Sequence, residues 1–224
     1  MTPTTALILG QPPRGASRCA DGRSAVRFAG LDLVERATVT AQRIGIERIH
    51  IVEGGLVNYE LVLRLRAKGL TVTAIRDDDC PFETAPAQGP IVVLPACTIV
   101  EPAALAAFLD RLTLDPGEAA VIVDDRRDAA HRFIHLSAGH VSSALTDGNA
   151  ASTNIVVLTP EALERVRVAR NLGAALRVLA RAGVLHGATL APRFCVRLHD
   201  VSEIERVERE YVSQTNWLEC SCLT

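Results

Sequence analysis

The sequence predicts one α/β domain built around a mostly parallel sheet. Short apolar segments alternate with helical segments of about 10–15 residues over the first half of the chain, which is the order of strands joined by crossover helices. Two of these helical segments stop at a glycine, Gly45 and Gly69, as helices that end in a left-handed cap do. Both observations favour a sheet covered by helices.

The predicted elements follow in chain order. In the first half we predict strands at 5–10, 46–52, 70–75 and 90–96, and helices at 31–45, 56–69 and 101–112. The polar, proline-rich stretch 76–89 is predicted to be a loop. In the second half we predict strands at 119–125, 132–138, 153–159 and 193–199. Helices are predicted at 160–183, with a break near Gly173, and at 201–212, where Ser202 and Glu205 have the spacing of a capping box.

Composition limits the functional classes. The 224 residues carry a formal net charge of −2 at pH 7, so nonspecific nucleic-acid binding is not expected. Lys68 is the only lysine, so the cationic side chains are almost all arginines. The apolar runs are too short to span a bilayer, and the N-terminus lacks the pattern of a signal peptide. We therefore expect a cytoplasmic protein that does not span a membrane, with its six cysteines as thiols.

The loop after the first strand is the first candidate site. The stretch QPPRGASRCADGR (11–23) contains Arg14, Gly15, Arg18 and Arg23. A guanidinium group binds phosphate through a fork of donors, and glycine lets the backbone approach a ligand closely. The two prolines of the loop remove backbone donors. The loop therefore either holds an anion through its arginines or is an arginine-bearing surface loop.

Several stretches together resemble a known superfamily. The order of strand, glycine- and arginine-bearing loop, helix FAGLDLVERA and strand GIERIHIVEG resembles nucleotidyltransferases of the sugar-phosphate and molybdenum-cofactor guanylyltransferase type. The segments 91–109 and 172–210 extend the resemblance over nearly the whole chain. Within the superfamily, the sequence is most similar to the inositol-phosphate cytidylyltransferase-like domains that precede CDP-alcohol phosphatidyltransferases.

The resemblance implies a fold, an activity and partners. The fold is Rossmann-like and three-layered, of the GT-A type, with a domain at 1–212 and a C-terminal tail at 213–224. The activity is transfer of a nucleotidyl group, CMP above all, from a nucleoside triphosphate to a polyol or sugar phosphate, with Mg²⁺ and release of pyrophosphate. The alternative is a catalytically inactive module that binds a nucleotide or a partner, such as a membrane CDP-alcohol phosphatidyltransferase. A Rossmann-type binding protein outside this superfamily is a third interpretation.

The resemblance also assigns roles to residues near the loop. It implies catalytic roles for Arg18 and for Arg23, which falls at the position of the family's lysine. The nucleotide-binding positions that it implies are Leu9, Gly10, Arg14, Gly15 and Ser17.

The two metal-ligand positions of the family are only partly acidic here. The first falls at Cys97, and the second falls at His199 or, with a shift of one residue, at Asp200. Mg²⁺ prefers carboxylate oxygens and a thiol is a poor ligand for it, so Asp200 is the expected Mg²⁺ ligand and Cys97 a small buried side chain. A softer ion such as Zn²⁺ on Cys97 and His199 is the alternative, although no other ligands stand at zinc spacing.

The stretch 123–140 is a second candidate metal cluster, because it contains three aspartates and three histidines: Asp124, Asp125, Asp128, His131, His135 and His140. A solvated hairpin turn between the strands at 119–125 and 132–138 explains the same pattern, and we predict the hairpin. Asp124 and Asp125 also follow an apolar strand, where open α/β sheets bind ligands.

Overall fold

The computed structural model describes most of the chain. The described residues are 3–16, 26–52, 57, 59–75, 80–85, 88–124, 134–137, 139–142, 150–190 and 194–221. Side chains are described for all of these except residues 124, 142 and 214–221.

The first half of the chain contains seven strands and three helices among the described residues. The strands are β1 (Thr5–Leu9), β2 (Arg27–Phe28), β3 (Leu31–Asp32), β4 (Arg48–Val52), β5 (Val72–Ile75), β6 (Ile91–Pro95) and β7 (Thr98–Val100). The helices are α1 (Leu33–Arg43), α2 (Tyr59–Ala67) and α3 (Pro102–Arg111).

The second half contains six strands and three helices within the described part of the chain. The strands are β8 (Ala119–Asp124), β9 (His135–Ser137), β10 (His140–Ser142), β11 (Ala151–Leu158), β12 (Leu185–Thr189) and β13 (Cys195–Arg197). The helices are α4 (Pro160–Val166), α5 (Leu172–Arg181) and α6 (Ile204–Ser221), with a single 3₁₀ turn at Val201–Glu203 before α6.

Nine of the described strands form one sheet in the order β5-β4-β1-β6-β11-β8-β12-β10-β9. The pairings β4–β5, β1–β4, β1–β6 and β8–β12 are parallel, whereas β11 and β10 run antiparallel to their neighbours. Seven of the nine strands therefore point in one direction, and the predicted mostly parallel sheet is confirmed. The short strands β13 and β7 pair beside it, as do β2 and β3.

Helices cover both faces of this sheet. Alternate residues of β1 belong to different apolar clusters, with Ala6 and Ile8 in one cluster and Leu7 and Leu9 in the other. Helices α1, α2, α3 and α6 contribute to the first cluster, and α4 and α5 contribute to the second. All five residues of β1 are buried, as expected for a central strand with both faces covered. The three-layer arrangement is that predicted from the sequence.

The helix ends follow the sequence closely, with one exception. Gly45 and Gly69 take left-handed φ angles of 82° and 81° just after α1 and α2, as predicted. The break predicted near Gly173 lies earlier, between Val166 and Leu172. Asn171 begins α5 by accepting a hydrogen bond from the Ala174 amide, so Gly173 lies inside the first turn of that helix.

Three predictions about the second half were wrong. The capping box uses Asp200 and Glu203 rather than Ser202 and Glu205, because the 3₁₀ turn starts the helical segment two residues earlier. Helix α6 continues to Ser221, beyond the predicted end at Val212. The strands β8 and β9 do not form a hairpin, since β8 pairs with β11 and β12 and β9 pairs with β10.

No described helix is both long enough and apolar enough to cross a lipid bilayer.

Candidate functional site

A cleft with a volume of about 600 Å³ opens at the carboxyl edge of the sheet. It lies where the chain leaves β1 at Gln11, turns from β6 to β7 at Cys97, and leaves β13 at Leu198. Strand β11 is antiparallel to β6 and pairs through Val156 with Val93, so its first residues also reach this edge. The carboxyl edge of an open α/β sheet is the usual place for a ligand.

The loop after β1 is tied to the segment that precedes α6. The amide of Arg14 donates to the His199 carbonyl at 2.8 Å, and the amide of Val201 donates to the Arg14 carbonyl at 3.0 Å. Gly15 follows with a φ of 76°, and a Cβ placed there would lie 3.1 Å from Cγ2 of Val201. Arg14 and His199, which the sequence placed in separate candidate sites, therefore line the same cleft.

The described part of this loop has few backbone donors left for a ligand. Pro12 and Pro13 have no N–H group. The amide of Arg14 is bonded to His199, and the amide of Ala16 donates to the Pro13 carbonyl at 3.3 Å. A phosphate at this end of the cleft would therefore be held mainly by side chains.

The Cys97 thiol lies beside the guanidinium of Arg197. Cys97 is 3% exposed, and its carbonyl accepts from the Leu198 amide at 2.8 Å, which fixes the β6–β7 turn against β13. Burial raises the pKa of the Cys97 thiol above its ordinary value of 9.0, and the positive charge of Arg197 only partly offsets this effect. The thiol is therefore neutral at physiological pH.

Asn154 positions the Arg197 side chain. With the amide oriented to satisfy its hydrogen bonds, the Asn154 side-chain oxygen accepts from the two terminal nitrogens of Arg197 at 2.6 and 3.2 Å. In the same orientation the amide nitrogen donates to the Ser152 hydroxyl at 2.7 Å. The backbone of Asn154 has a φ of 63°, a conformation that asparagine tolerates better than most residues. The Nε of Arg197 is buried, and no group in the described ranges accepts from it.

Helix α5 forms one wall of the cleft. Asn171 at its start and Arg177, about two turns further on, line the cleft, as do three residues of the same helix face, Leu172, Leu176 and Ala180. Arg14, Arg177 and Arg197 are thus the arginines among the described lining residues, and that lining contains no aspartate or glutamate. The cleft favours an anionic ligand.

Asp200 lies next to the cleft and caps the helical segment. Its Oδ1 accepts from the Ser202 amide at 2.9 Å and from the Ser202 hydroxyl at 2.7 Å. These hydrogen bonds hold the pKa of Asp200 below its ordinary value, and the bond from the Ser202 backbone amide has the largest effect. The positive charge of Arg14 lowers the pKa further. Glu203 accepts from the amides of His199 and Asp200 at 2.7 and 3.3 Å.

These residues do not fit a magnesium ion. A divalent hard cation needs several oxygen ligands. The positions that the resemblance marks as metal ligands hold instead the buried neutral thiol of Cys97, the imidazole of His199 and the Asp200 carboxylate, which is engaged in a helix cap. Two arginines, Arg14 and Arg197, stand among them. Within the described ranges no three histidine, cysteine, aspartate or glutamate side chains come together as a metal site.

Comparison with solved structures agrees with this architecture. The chain is similar to the inositol-1-phosphate CTP transferase from T. maritima, with a TM-score of 0.72 and 14% identity over 94% of this chain and 97% of that one. It is also similar to the UDP-glucose pyrophosphorylase from Acinetobacter baumanii, with a TM-score of 0.65 and 11% identity over 93% of each chain. The chain has a nucleotidyltransferase fold. No protein-family model and no curated protein matches its sequence.

The nucleotidyltransferase fold brings together part of the predicted site. Arg14, Cys97 and His199 line the cleft, and Gly15 and Asp200 adjoin it through the loop contacts. Leu9 and Gly10 are buried at the end of β1, where the Leu9 carbonyl accepts from the Ala96 amide at 2.9 Å. The predicted roles of Ser17, Arg18 and Arg23 fall outside the described residues, as do those of Asp125, Asp128 and His131.

Sequence reasoning missed five polar side chains of the cleft: Ser152, Asn154, Asn171, Arg177 and Arg197. Arg197 and Asn154 lie inside segments predicted only as strands, and Arg177 lies inside a predicted helix. A signal existed for Asn171, because asparagine before an apolar helical run is typical of an N-cap.

Proposed function

We propose that this chain binds a nucleoside triphosphate in the cleft and transfers its nucleotidyl group to a small phosphorylated acceptor. CTP is the expected donor, and a polyol or sugar phosphate is the expected acceptor. The fold and the sequence resemblance support this proposal, and one similar structure is named for CTP and inositol-1-phosphate. The observation that carries it is the gathering of Arg14, Arg177 and Arg197 in one cleft whose described lining has no acidic residue.

The transfer is written as a single displacement at phosphorus. An oxygen of the acceptor phosphate attacks the α-phosphorus, a new P–O bond forms, and the bond to the departing pyrophosphate breaks with its electron pair. Cationic side chains aimed at the phosphates stabilise the charge that develops on the oxygens. We assign this role to Arg14 and Arg197, and the sequence adds Arg18 and Arg23 as further candidates.

Arg197 and Arg14 have different parts in this scheme. Arg197 is held by Asn154, so its guanidinium is oriented before a ligand arrives. Arg14 is fixed through its backbone while its side chain stays exposed and can follow the ligand. No step is assigned to a metal ion, because Cys97, His199 and Asp200 do not provide its ligands.

A second candidate function is nucleotide binding without transfer. The observation that favours it is the commitment of the Asp200 carboxylate to the helix cap, together with the neutral thiol of Cys97 at the family's other acidic position. In this case the chain acts as a binding or assembly module, and a membrane CDP-alcohol phosphatidyltransferase remains its expected partner.

A pyrophosphate-release assay separates the two functions. Purified protein is incubated with each of the four nucleoside triphosphates and a panel of polyol and sugar phosphates, with and without Mg²⁺. Transfer predicts release that depends on the acceptor and falls roughly 10- to 100-fold in Arg197→Gln, as expected for loss of a charge-assisted contact. Arg181→Gln is the matched control, because Arg181 is exposed on α5 and does not line the cleft. Nucleotide binding with no release under any condition would support the second function.

A further inference from the structure

Part of the lining of the cleft is apolar, and this part is called the chamber. Six side chains form this chamber, namely Ile134, Val141, Leu172, Leu176, Ala180 and Leu185. Four of them are buried and the two on the outer part of α5 are half-buried. The nucleotide-transfer scheme above uses none of them.

The chamber has three described walls. Leu172, Leu176 and Ala180 follow one another at four-residue spacing and so form one face of α5. Leu185 begins β12, and Ile134 and Val141 come from the β9–β10 region. From Leu172 to Ala180 the helix rises about 12 Å, at 1.5 Å per residue, which sets the length of the chamber.

A glycine fixes the β9–β10 region close to β12. The amide of Gly187 donates to the Gly139 carbonyl at 2.9 Å, and a Cβ at Gly187 would lie 2.3 Å from Cδ1 of Leu136. Because Gly187 has no side chain, Leu136 packs directly against the backbone of β12. The pairing of His140 with His186 places Val141 beside Leu185, and both side chains line the cleft.

The two ends of the cleft differ in chemistry. Arg14 and Arg197 stand at the carboxyl edge of the sheet, and the apolar side chains extend the cleft to Leu185 at the start of β12. The exposed Arg177 lies on α5 between Leu176 and Ala180, so it borders the apolar part. A ligand that satisfies both ends is negatively charged at one end and apolar at the other. A bare sugar or polyol phosphate would place hydroxyl groups against apolar side chains, which costs their hydrogen bonds to water.

We propose that the phosphorylated acceptor of this cleft carries an apolar chain or ring, which lies in the chamber while its phosphate contacts the arginines. This inference rests on the proposed function: it keeps the transfer to a phosphorylated acceptor and replaces the bare polyol or sugar phosphate with one that carries an apolar group. The nucleotide base is a poorer occupant of the chamber, because its edges carry donors and acceptors. Ser152 and Asn154, near the arginines, offer polar groups that suit a base or a ribose.

The test measures the affinity of the full chain for n-alkyl phosphates, from methyl to octyl phosphate, by titration calorimetry. Burial of each methylene in the chamber strengthens binding roughly three- to fourfold. Ala180→Phe fills the chamber from the half-buried face of α5 and is expected to abolish this dependence. Val178→Phe is the matched control, because Val178 lies on the same helix, is 43% exposed and does not line the cleft.

The wild-type series decides the proposal even if the variant does not fold. An affinity that does not change with chain length overturns it. A chain-length dependence that is equal in the wild type and in Ala180→Phe also overturns it, because the chain would then lie on another surface. Nucleotide binding is titrated separately in the same proteins. Absence of any chain-length effect in the wild type with nucleotide binding intact rejects the chamber alone, whereas absence of nucleotide binding rejects the proposed function.

Discussion

Asn154 holds Arg197 by accepting from both terminal nitrogens of its guanidinium, at 2.6 and 3.2 Å. The pair joins β11, a strand of the main sheet, to β13, which lies outside it. A neutral partner orients the arginine without neutralising it, so the positive charge remains available to a ligand. An aspartate or glutamate in the same place would compete with a phosphate for the guanidinium.

The first prediction concerns this pair. Asn154→Gly keeps the left-handed backbone but removes the acceptor, so Arg197 loses its orientation and nucleotide affinity falls by about tenfold, corresponding to a hydrogen-bond contribution of about 1–1.5 kcal/mol. Asn154→Asp keeps the acceptor and neutralises the arginine, so its affinity should fall at least as far. Titration of both variants with CTP and an unchanged melting temperature for Asn154→Gly would support the role. Equal affinity in the wild type and Asn154→Asp would contradict it.

The second prediction concerns the loop after β1. Gly15→Ala forces a side chain into a left-handed backbone and against Val201, so the free energy of unfolding falls by about 2–3 kcal/mol. Gly45→Ala is the control, because it has the same backbone strain with no atom within 4 Å of the new Cβ, and should cost about 1–2 kcal/mol. Urea denaturation compares the two. A Gly15→Ala cost no larger than that of Gly45→Ala would mean that the Val201 contact relaxes freely.

A third prediction follows from the raised pKa of Cys97. Because burial keeps the thiol protonated, alkylation of Cys97 at pH 7–8 should be slower than that of the half-buried Cys80. Arg197 lowers the pKa of Cys97, so Arg197→Gln should slow the reaction further. Peptide mapping after timed iodoacetamide treatment measures each site. Faster labelling of Cys97 in Arg197→Gln would show that the variant opens the cleft rather than removing a charge effect.

The fourth prediction is a pH dependence of the α6 cap. The pKa of Asp200 in the folded protein is lowered by the Ser202 amide and hydroxyl. Asp200 therefore stabilises the fold above the ordinary value of 3.8, and this stabilisation is lost as the pH falls through the lowered pKa. The melting temperature of Asp200→Asn should lie below that of the wild type at neutral pH, and the two should converge in acid.

The fold was predictable because its signals are local. The apolar run of Thr5–Leu9 marks a buried strand, and the glycines after α1 and α2 mark the ends of those helices. Each signal lies in or next to the element that it predicts. Strand β12 was missed because LHGAT, with His186 and Gly187 at its centre, lacks the run of β-branched residues that marks a strand. The capping box was misplaced because Ser202 and Asp200 both have an acid three residues later.

The site was predictable only where a sequence motif marks it. Arg14 and His199 lie in stretches that resemble the superfamily, but nothing in the sequence shows that Arg14 and His199 share a backbone hydrogen bond. Arg197 and Asn154 lie 43 positions apart along the chain, and β13 reaches β11 only through the assembled sheet. Long-range contacts of this kind have no local signature.

The central claim is that the arginines of the cleft bind the phosphates of a nucleotide. Its most direct test is calorimetric titration of the wild type, Arg197→Gln and Arg181→Gln with CTP, GTP, ATP and UTP in turn, each with and without Mg²⁺. We predict that at least one nucleotide binds the wild type, that Arg197→Gln weakens this binding roughly 10- to 100-fold, and that Arg181→Gln leaves it unchanged. No binding of any nucleotide, or equal losses in the two variants, would contradict the account.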